Sequence, residues 1–161
     1  MTEYDVVIVG AGPAGLTSGI YSSRSGLKTL IIEKGVPGGS AAESPLIENY
    51  PGFPEGISGY ELIEKMLTQC EKFGVEVRTL ESVIEINPDG GEKLVKTERD
   101  MYSCRAIIIA SGCRHRKLGV PGEEELRGAG VSYCALCDGA FFKGKKVAVV
   151  GGGNTAATSA L

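Results

Sequence analysis

The spacing of apolar and polar positions divides the chain into strand-sized and helix-sized pieces. Residues 4–9 form a short apolar run with β-branched side chains, the pattern of a strand buried on both faces. Residues 16–25 read as a helix, and residues 28–32 as a second buried strand with Glu33 and Lys34 at its end. Residues 35–58 contain Pro37, Pro45, Pro51 and Pro54 among several glycines, and are too broken for a long helix or strand. Over residues 60–73 the period becomes helical, with Leu62, Ile63, Met66, Leu67, Cys70 and Phe73 on one face and Gly74 placed to end the helix. Residues 75–77, 83–86 and 94–97 read as strands, the last two joined by the turn Asn87-Pro88-Asp89-Gly90-Gly91. Residues 105–110, with Ile107-Ile108-Ile109, predict another fully buried strand, and residues 145–150 a further one after a charged lead-in.

Two of these strands run into glycine turns. The first enters Gly10-Ala11-Gly12-Pro13-Ala14-Gly15, a Gly-x-Gly-x-x-Gly turn in a strand–turn–helix–strand frame, with the acid Glu33 about 20 residues further on. Gly10 permits the tight turn, Gly12 lets backbone approach a pyrophosphate, and Gly15 lets helix and strand pack closely. The helix N-terminus supplies amide donors and positive dipole to the phosphates. Glu33 is suited to an adenosine ribose and repels a 2′-phosphate, so the site is expected to take FAD or NAD. Gly38-Gly39-Ser40 and Ser111-Gly112 are two more places where backbone can lie against a nucleotide, whereas Asn49 is as suited to capping its own loop as to touching a ligand. The second start, Gly151-Gly152-Gly153-Asn154-Thr155-Ala156, is a Gly-x-Gly-x-x-Ala fingerprint at the mouth of a helix. A βαβ unit takes about 30 residues, so this second site is expected to be incomplete over the sequence given.

Between the two starts lies Cys134-Ala135-Leu136-Cys137-Asp138-Gly139. A Cys-x-x-Cys pair can close a tight disulfide, and an adjacent carboxylate can move protons as it opens. Five cysteines, with no secretory signal read at the N-terminus, argue against a structural disulfide framework and for a catalytic or metal role of the close pair. Cys70 and Cys104 read as core residues. A zinc knuckle would need a second Cys-x-x-Cys or His pair, and none is present; the lone His115 has no ligand cluster around it, so no metal site is expected. It belongs to the basic run Arg114-His115-Arg116-Lys117, read as a solvated hinge in preference to a phosphate contact. Net charge is −3, which speaks against nucleic acid and anionic membrane as partners, and no apolar run is long enough to span a bilayer. The expected compartment is the cytoplasm.

In this order, these motifs resemble the low-molecular-weight thioredoxin reductases, with a leaning toward their archaeal members. The resemblance runs from Tyr4 to Ala156 and includes Glu33, Gly38-Gly39, Glu48-Asn49-Tyr50-Pro51-Gly52-Phe53, Ala110-Ser111-Gly112, the cysteine pair and both fingerprints. It implies an α/β fold: an FAD-binding Rossmann-like, three-layer domain over residues 1–113, a hinge over 114–118, and over 119–161 the opening of a second, incomplete Rossmann-like domain for pyridine nucleotide and the redox disulfide. The sequence then corresponds to the N-terminal half of the family's chain. The resemblance makes Cys137 the thiol facing the flavin, Cys134 the thiol that attacks the thioredoxin disulfide, and Asp138 the acid/base; it places Val83 where a family residue packs on adenine. It also implies a homodimer with thioredoxin, or a similar small redox protein, as partner. Many members carry a pair of glutamates where this chain has Thr158-Ser159, so the electron donor is open among NADPH, NADH and a reduced deazaflavin. Two other readings of the same residues stand beside it: a dithiol oxidase on the same scaffold, and a module that only binds FAD.

Overall fold

The computed structural model describes residues 2–113 and 115–161; Arg114, in the expected hinge and basic run, lies outside the described residues. The chain divides after Cys113 into two compact units.

The first unit is built on a six-stranded sheet in the order β3-β2-β1-β6-β5-β4. Strands β1 (Thr2–Val9), β2 (Thr29–Ile32), β3 (Glu76–Arg78) and β6 (Met101–Ile109) are parallel, while β4 (Val83–Asn87) and β5 (Lys93–Thr97) add an antiparallel hairpin beside β6. Helices α1 (Pro13–Arg24), α2 (Gly39–Ala42) and α3 (Gly59–Lys72) contribute to one apolar cluster, in which Leu16, Ile20, Leu62, Ile63, Met66 and Cys70 pack with Val6, Ile8 and Ile31. On the other side Val83 and Val95 of the hairpin pack with Tyr4, Val7, Leu30 and Ile32. The side chains of β1 change faces at Asp5, where the Asp5 and Val6 amides both donate to the Lys28 carbonyl at 2.9 and 3.2 Å, the mark of a bulge. Tyr4 therefore lies in the second cluster and Val6 in the first.

Helix α3 starts where Ser58 accepts the Glu61 amide at 3.2 Å, an N-cap that satisfies one orphan donor, and ends before Gly74 at φ 76°. The apolar face read from the sequence is the buried one. The 35–58 segment holds only α2 and an isolated bridge between Ile47 and Ile57. One expectation for this unit changes. The run Ile107-Ile108-Ile109 is not fully buried: Ile107 and Ile108 are half-buried against opposite clusters, and Ile109 belongs to neither and is 61% exposed. It closes the strand at the carboxyl edge of the sheet, beyond the reach of both apolar layers.

The second unit contains α4 (Ala135–Asp138), a 3-10 turn over Gly139–Phe142 and α5 (Asn154–Ala160). The strand expected over residues 145–150 is not formed. A strand's amides and carbonyls are satisfied by a neighbouring strand, and among the described residues none pairs with this run. Val147 and Val150 are 65% and 68% exposed. Among the described residues no helix is long and apolar enough to cross a membrane.

Leu16→Ala is expected to destabilise the first unit by about 2–5 kcal/mol, the usual cost of emptying a fully buried leucine site. Tyr21→Ala, on the exposed side of the same helix, should stay within about 0.5 kcal/mol. Urea midpoints of the two variants check this, and equal shifts would contradict the burial described.

Candidate functional site

The first glycine turn is a place where three backbone segments meet. Gly10 has φ 107°, and a Cβ there would lie 2.3 Å from the Ala110 carbonyl oxygen and 3.1 Å from the Ser111 Cα. A Cβ on Gly15 would lie 1.9 Å from the Gly10 carbonyl oxygen. Both positions exclude any side chain, and α1 is thereby drawn onto the end of β1. Gly12 differs: its Cβ would meet nothing nearer than the Gly38 carbonyl oxygen at 4.0 Å. The space in front of Gly12 is open, at the N-terminus of a helix whose first amides have no intrahelical acceptor and which begins with Pro13 and Ala14. Gly38 and Gly39 close that space from the side: the Gly38 amide donates to the Ala11 carbonyl at 2.8 Å, and a Cβ on Gly39 would come within 3.7 Å of the Gly12 Cα. This cradle fits a pyrophosphate, by its open glycine, its helix N-terminus and its bare walls.

Glu33 joins the cradle. Its carboxylate accepts the Ala11 amide at 2.8 Å and the Gly35 amide at 2.9 Å, one on each oxygen. The acid expected to meet a ribose is thus also a clamp on the glycine turn, and each oxygen retains a second lone pair. Lys34 follows it, exposed. The structure therefore brings together Gly10, Gly12, Gly15, Glu33, Gly38, Gly39, Ala110 and Ser111, with Gly112 next in the chain at φ 69°. Asn49 is exposed on the 35–58 segment, and Val83 opens β4, half-buried in the second cluster.

In the second unit Cys134 and Cys137 are joined, with Sγ–Sγ 2.09 Å and Cα–Cα 5.2 Å. Cys134 is the N-cap of α4: its Sγ accepts the Cys137 amide at 3.2 Å and its carbonyl the Asp138 amide at 3.0 Å. Asp138 is held by Ser132, whose hydroxyl donates to the carboxylate at 2.5 Å and accepts the Cys134 amide at 3.1 Å. Cys134 and Asp138 are half-buried, and Cys137 is exposed. The Ser132 hydroxyl thus links the Asp138 carboxylate to the backbone of Cys134.

Sequence reasoning passed over Ser132, and also Glu123 and Tyr133. Glu123 is 5% exposed, and its carboxylate accepts the Leu118 amide at 2.7 Å, the Gly119 amide at 2.6 Å and the Tyr133 hydroxyl. The Tyr133 hydrogen bond first, then the backbone amides, pull its carboxyl down to about 2. Of these residues only Ser132 and Tyr133 carried a signal, their place just before the cysteine pair. At the second fingerprint Gly151 has φ 146° and Gly153 caps α5, which carries Asn154, Thr155 and Ala156 in its first turn.

Beside these two arrangements, a glycine-lined cradle at a helix N-terminus and a Cys-x-x-Cys disulfide ahead of a second glycine turn, stand the comparisons with known proteins. Residues 4–161 match the model of the pyridine nucleotide-disulphide oxidoreductases, and the chain belongs to that family. Within it, the chain is similar to a thioredoxin reductase of Bacillus subtilis, 55% identical over 95% of this chain and 48% of that protein. The thioredoxin reductase structure from Streptococcus pyogenes matches with TM-score 0.82 and 50% identity over 88% of this chain and 45% of that one. The Giardia duodenalis enzyme matches with TM-score 0.91 and 37% identity over 99% and 52%. The chain spans about half the length of the curated relatives it matches.

Two outcomes follow from the geometry. Gly12→Ala should change unfolding free energy by no more than about 1 kcal/mol while weakening dinucleotide binding about tenfold or more. Gly15→Ala should cost about 2–3 kcal/mol or more, because backbone must move. Thermal unfolding without ligand and a binding titration separate the two, and a Gly15→Ala protein as stable as the parent would refute the close approach. For Glu123 the carboxylate is the form held by the fold. Its contribution is complete above the ordinary value of 4.5 and is lost as pH falls toward about 2. Exchange protection of the Leu118 and Gly119 amides should be level down to about pH 5 and decline below it. In Glu123→Gln that pH dependence should vanish; an equal decline there would exclude Glu123 as its source.

Proposed function

We propose that the protein carrying this chain is a flavin-dependent disulfide reductase of the thioredoxin reductase type. The observation that carries the proposal is the Cys134–Cys137 disulfide with Asp138 tied to it through Ser132. Residues 1–113 form the FAD domain's first segment, 114–118 the hinge, and 119–161 the start of the nucleotide and redox-disulfide domain. FAD is held by Gly10, Gly12, Pro13, Ala14, Gly15, Glu33, Lys34, Gly38, Gly39, Asn49, Val83, Ala110, Ser111 and Gly112. When bound, it supplies a two-electron carrier between a nucleotide donor and a disulfide. The donor, NADPH or NADH or a reduced deazaflavin, is met by Gly151, Gly153, Asn154, Thr155 and Ala156. The protein works in the cytoplasm, where thiols are kept reduced, and as a homodimer.

The chain's own residues then act as follows. Opening the Cys134–Cys137 bond takes up two electrons and two protons and leaves two thiols; Cys137 is the sulfur facing the flavin, and Asp138 delivers the proton that releases Cys134. Cys134 as thiolate attacks a disulfide of thioredoxin, forming a mixed disulfide and expelling one thiolate of the partner. Cys137 attacks the Cys134 sulfur, the second partner thiolate leaves, and the internal disulfide is restored. Electrons and protons balance: the partner gains the two of each that the pair had received.

Anaerobic assay of the intact protein with thioredoxin and each donor in turn tests this. Thioredoxin should be reduced with at least one donor, and Cys137→Ser should lower turnover at least about a thousandfold, about 4 kcal/mol in the barrier, with flavin still bound. Thioredoxin left oxidised with every donor, or Cys137→Ser turning over like the parent, would defeat the proposal.

A further inference from the structure

The residues that hold the redox pair from its N-terminal side form a connected set that the reductase chemistry does not use. Glu123 sits at the centre. It gathers the Leu118 and Gly119 amides, which begin the loop, and the Tyr133 hydroxyl, which ends it. Tyr133 is further fixed by the His115 ring, stacked on it at 5.3 Å and 8°, and by the Arg127 guanidinium 6.0 Å from its centroid. The next residue is Cys134. Its amide donates to Ser132, and its carbonyl and sulfur accept the amides of Cys137 and Asp138. The backbone that carries the first sulfur is therefore tied, through one tyrosine, to a nearly buried carboxylate.

We infer that Glu123 and Tyr133 are positioning residues that set the equilibrium between the closed Cys134–Cys137 disulfide and its dithiol. All the contacts of the anchor are made while the disulfide is closed, so anchor and disulfide are mutually compatible. Any coupling between two such features is equal in both directions. The anchor removes backbone freedom that the opened pair would otherwise gain, which raises the effective concentration of one thiol at the other and favours closure. Loosening the anchor shifts the pair toward dithiol, and opening the pair loosens the anchor.

The test is exchange with dithiothreitol in the intact protein: one disulfide is reduced for each dithiothreitol oxidised. The thiols are trapped by alkylation, and the peptide bearing Cys134 and Cys137 is weighed. Tyr133→Phe, which keeps the ring and deletes the hydroxyl, and Glu123→Gln should each lower the equilibrium constant for the disulfide about three- to tenfold, tenfold being 29.6 mV for a two-electron couple. The double variant should fall no further than the larger single effect, since both act through one hydrogen bond. Lys117→Ala, which breaks the neighbouring Lys117–Glu124 ion pair, should leave the constant unchanged. In the parent, reduction should speed hydrogen exchange at the Leu118 and Gly119 amides. Constants within twofold of the parent in both single variants, or an equal fall in Lys117→Ala, or exchange indifferent to reduction, would overturn the inference. These readouts involve no thioredoxin, so the inference and the proposed reductase activity fail separately.

Discussion

The first unit depends on how closely the backbone of Gly10 is approached from two sides. Ala110 reaches it across the sheet and Gly15 from the helix, both at distances where no side chain fits. That double contact turns the chain from β1 into α1 within three residues, Gly10–Gly12, and aims the helix N-terminus over the carboxyl edge of the sheet, where α/β folds place their ligands. Glu33 fixes the same turn from a third direction. Its side chain takes the amides of Ala11 and Gly35, while its own backbone exchanges hydrogen bonds with Arg78 and Glu81. The turn, the end of β2 and the segment after β3 are one assembly, and the cradle beside Gly12 is what that assembly leaves open.

The two units are held by different forces. In the first, apolar burial on both faces of the sheet supplies the drive, and direction comes from backbone pairing. In the second, few residues are buried, and Glu123, a charge, is the most deeply covered side chain among those described. Geometry there comes from directional contacts: Glu123 with its amides and tyrosine, Ser132 with Asp138 and the Cys134 amide, and the sulfur cap on α4. Segments with few apolar contacts open locally at low free energy. Around the Cys134–Cys137 disulfide, hydrogen bonds hold the backbone in register where apolar burial is sparse.

Most of the first unit was legible in the sequence because its elements are periodic. The apolar face of α3 is visible as Leu62, Ile63, Met66 and Cys70, and β1 as an apolar run entering a glycine turn. The same reading failed at residues 145–150, since an apolar run records burial preference and not whether a neighbouring strand is present to pair with it. It overstated Ile109 for a related reason: position in a strand says nothing of where the covering layers end. The clamp by Glu33 on Ala11 joins residues 22 apart, and no local pattern marks it. Glu123 was hidden more fully, because it opens the acidic run Glu123-Glu124-Glu125, in which nothing local sets one acid apart, and only the fold singles out the first of the three.

Glu33 and Glu123 use one physical device. Each is a carboxylate that accepts two backbone amides: Ala11 of the glycine turn and Gly35 just after β2 in one case, the adjacent Leu118 and Gly119 in the other. Turns that gather amides are ready-made sites for anions, and here the anion is built into the chain. The ordering cost of the turn is then met during folding and not when a ligand arrives or a disulfide closes. At Glu33 the ordered turn faces the open space before Gly12; at Glu123 it faces Tyr133 and, through it, Cys134. In both places an internal negative charge fixes backbone in advance, and the chemistry assigned to the neighbouring residues inherits that fixed frame.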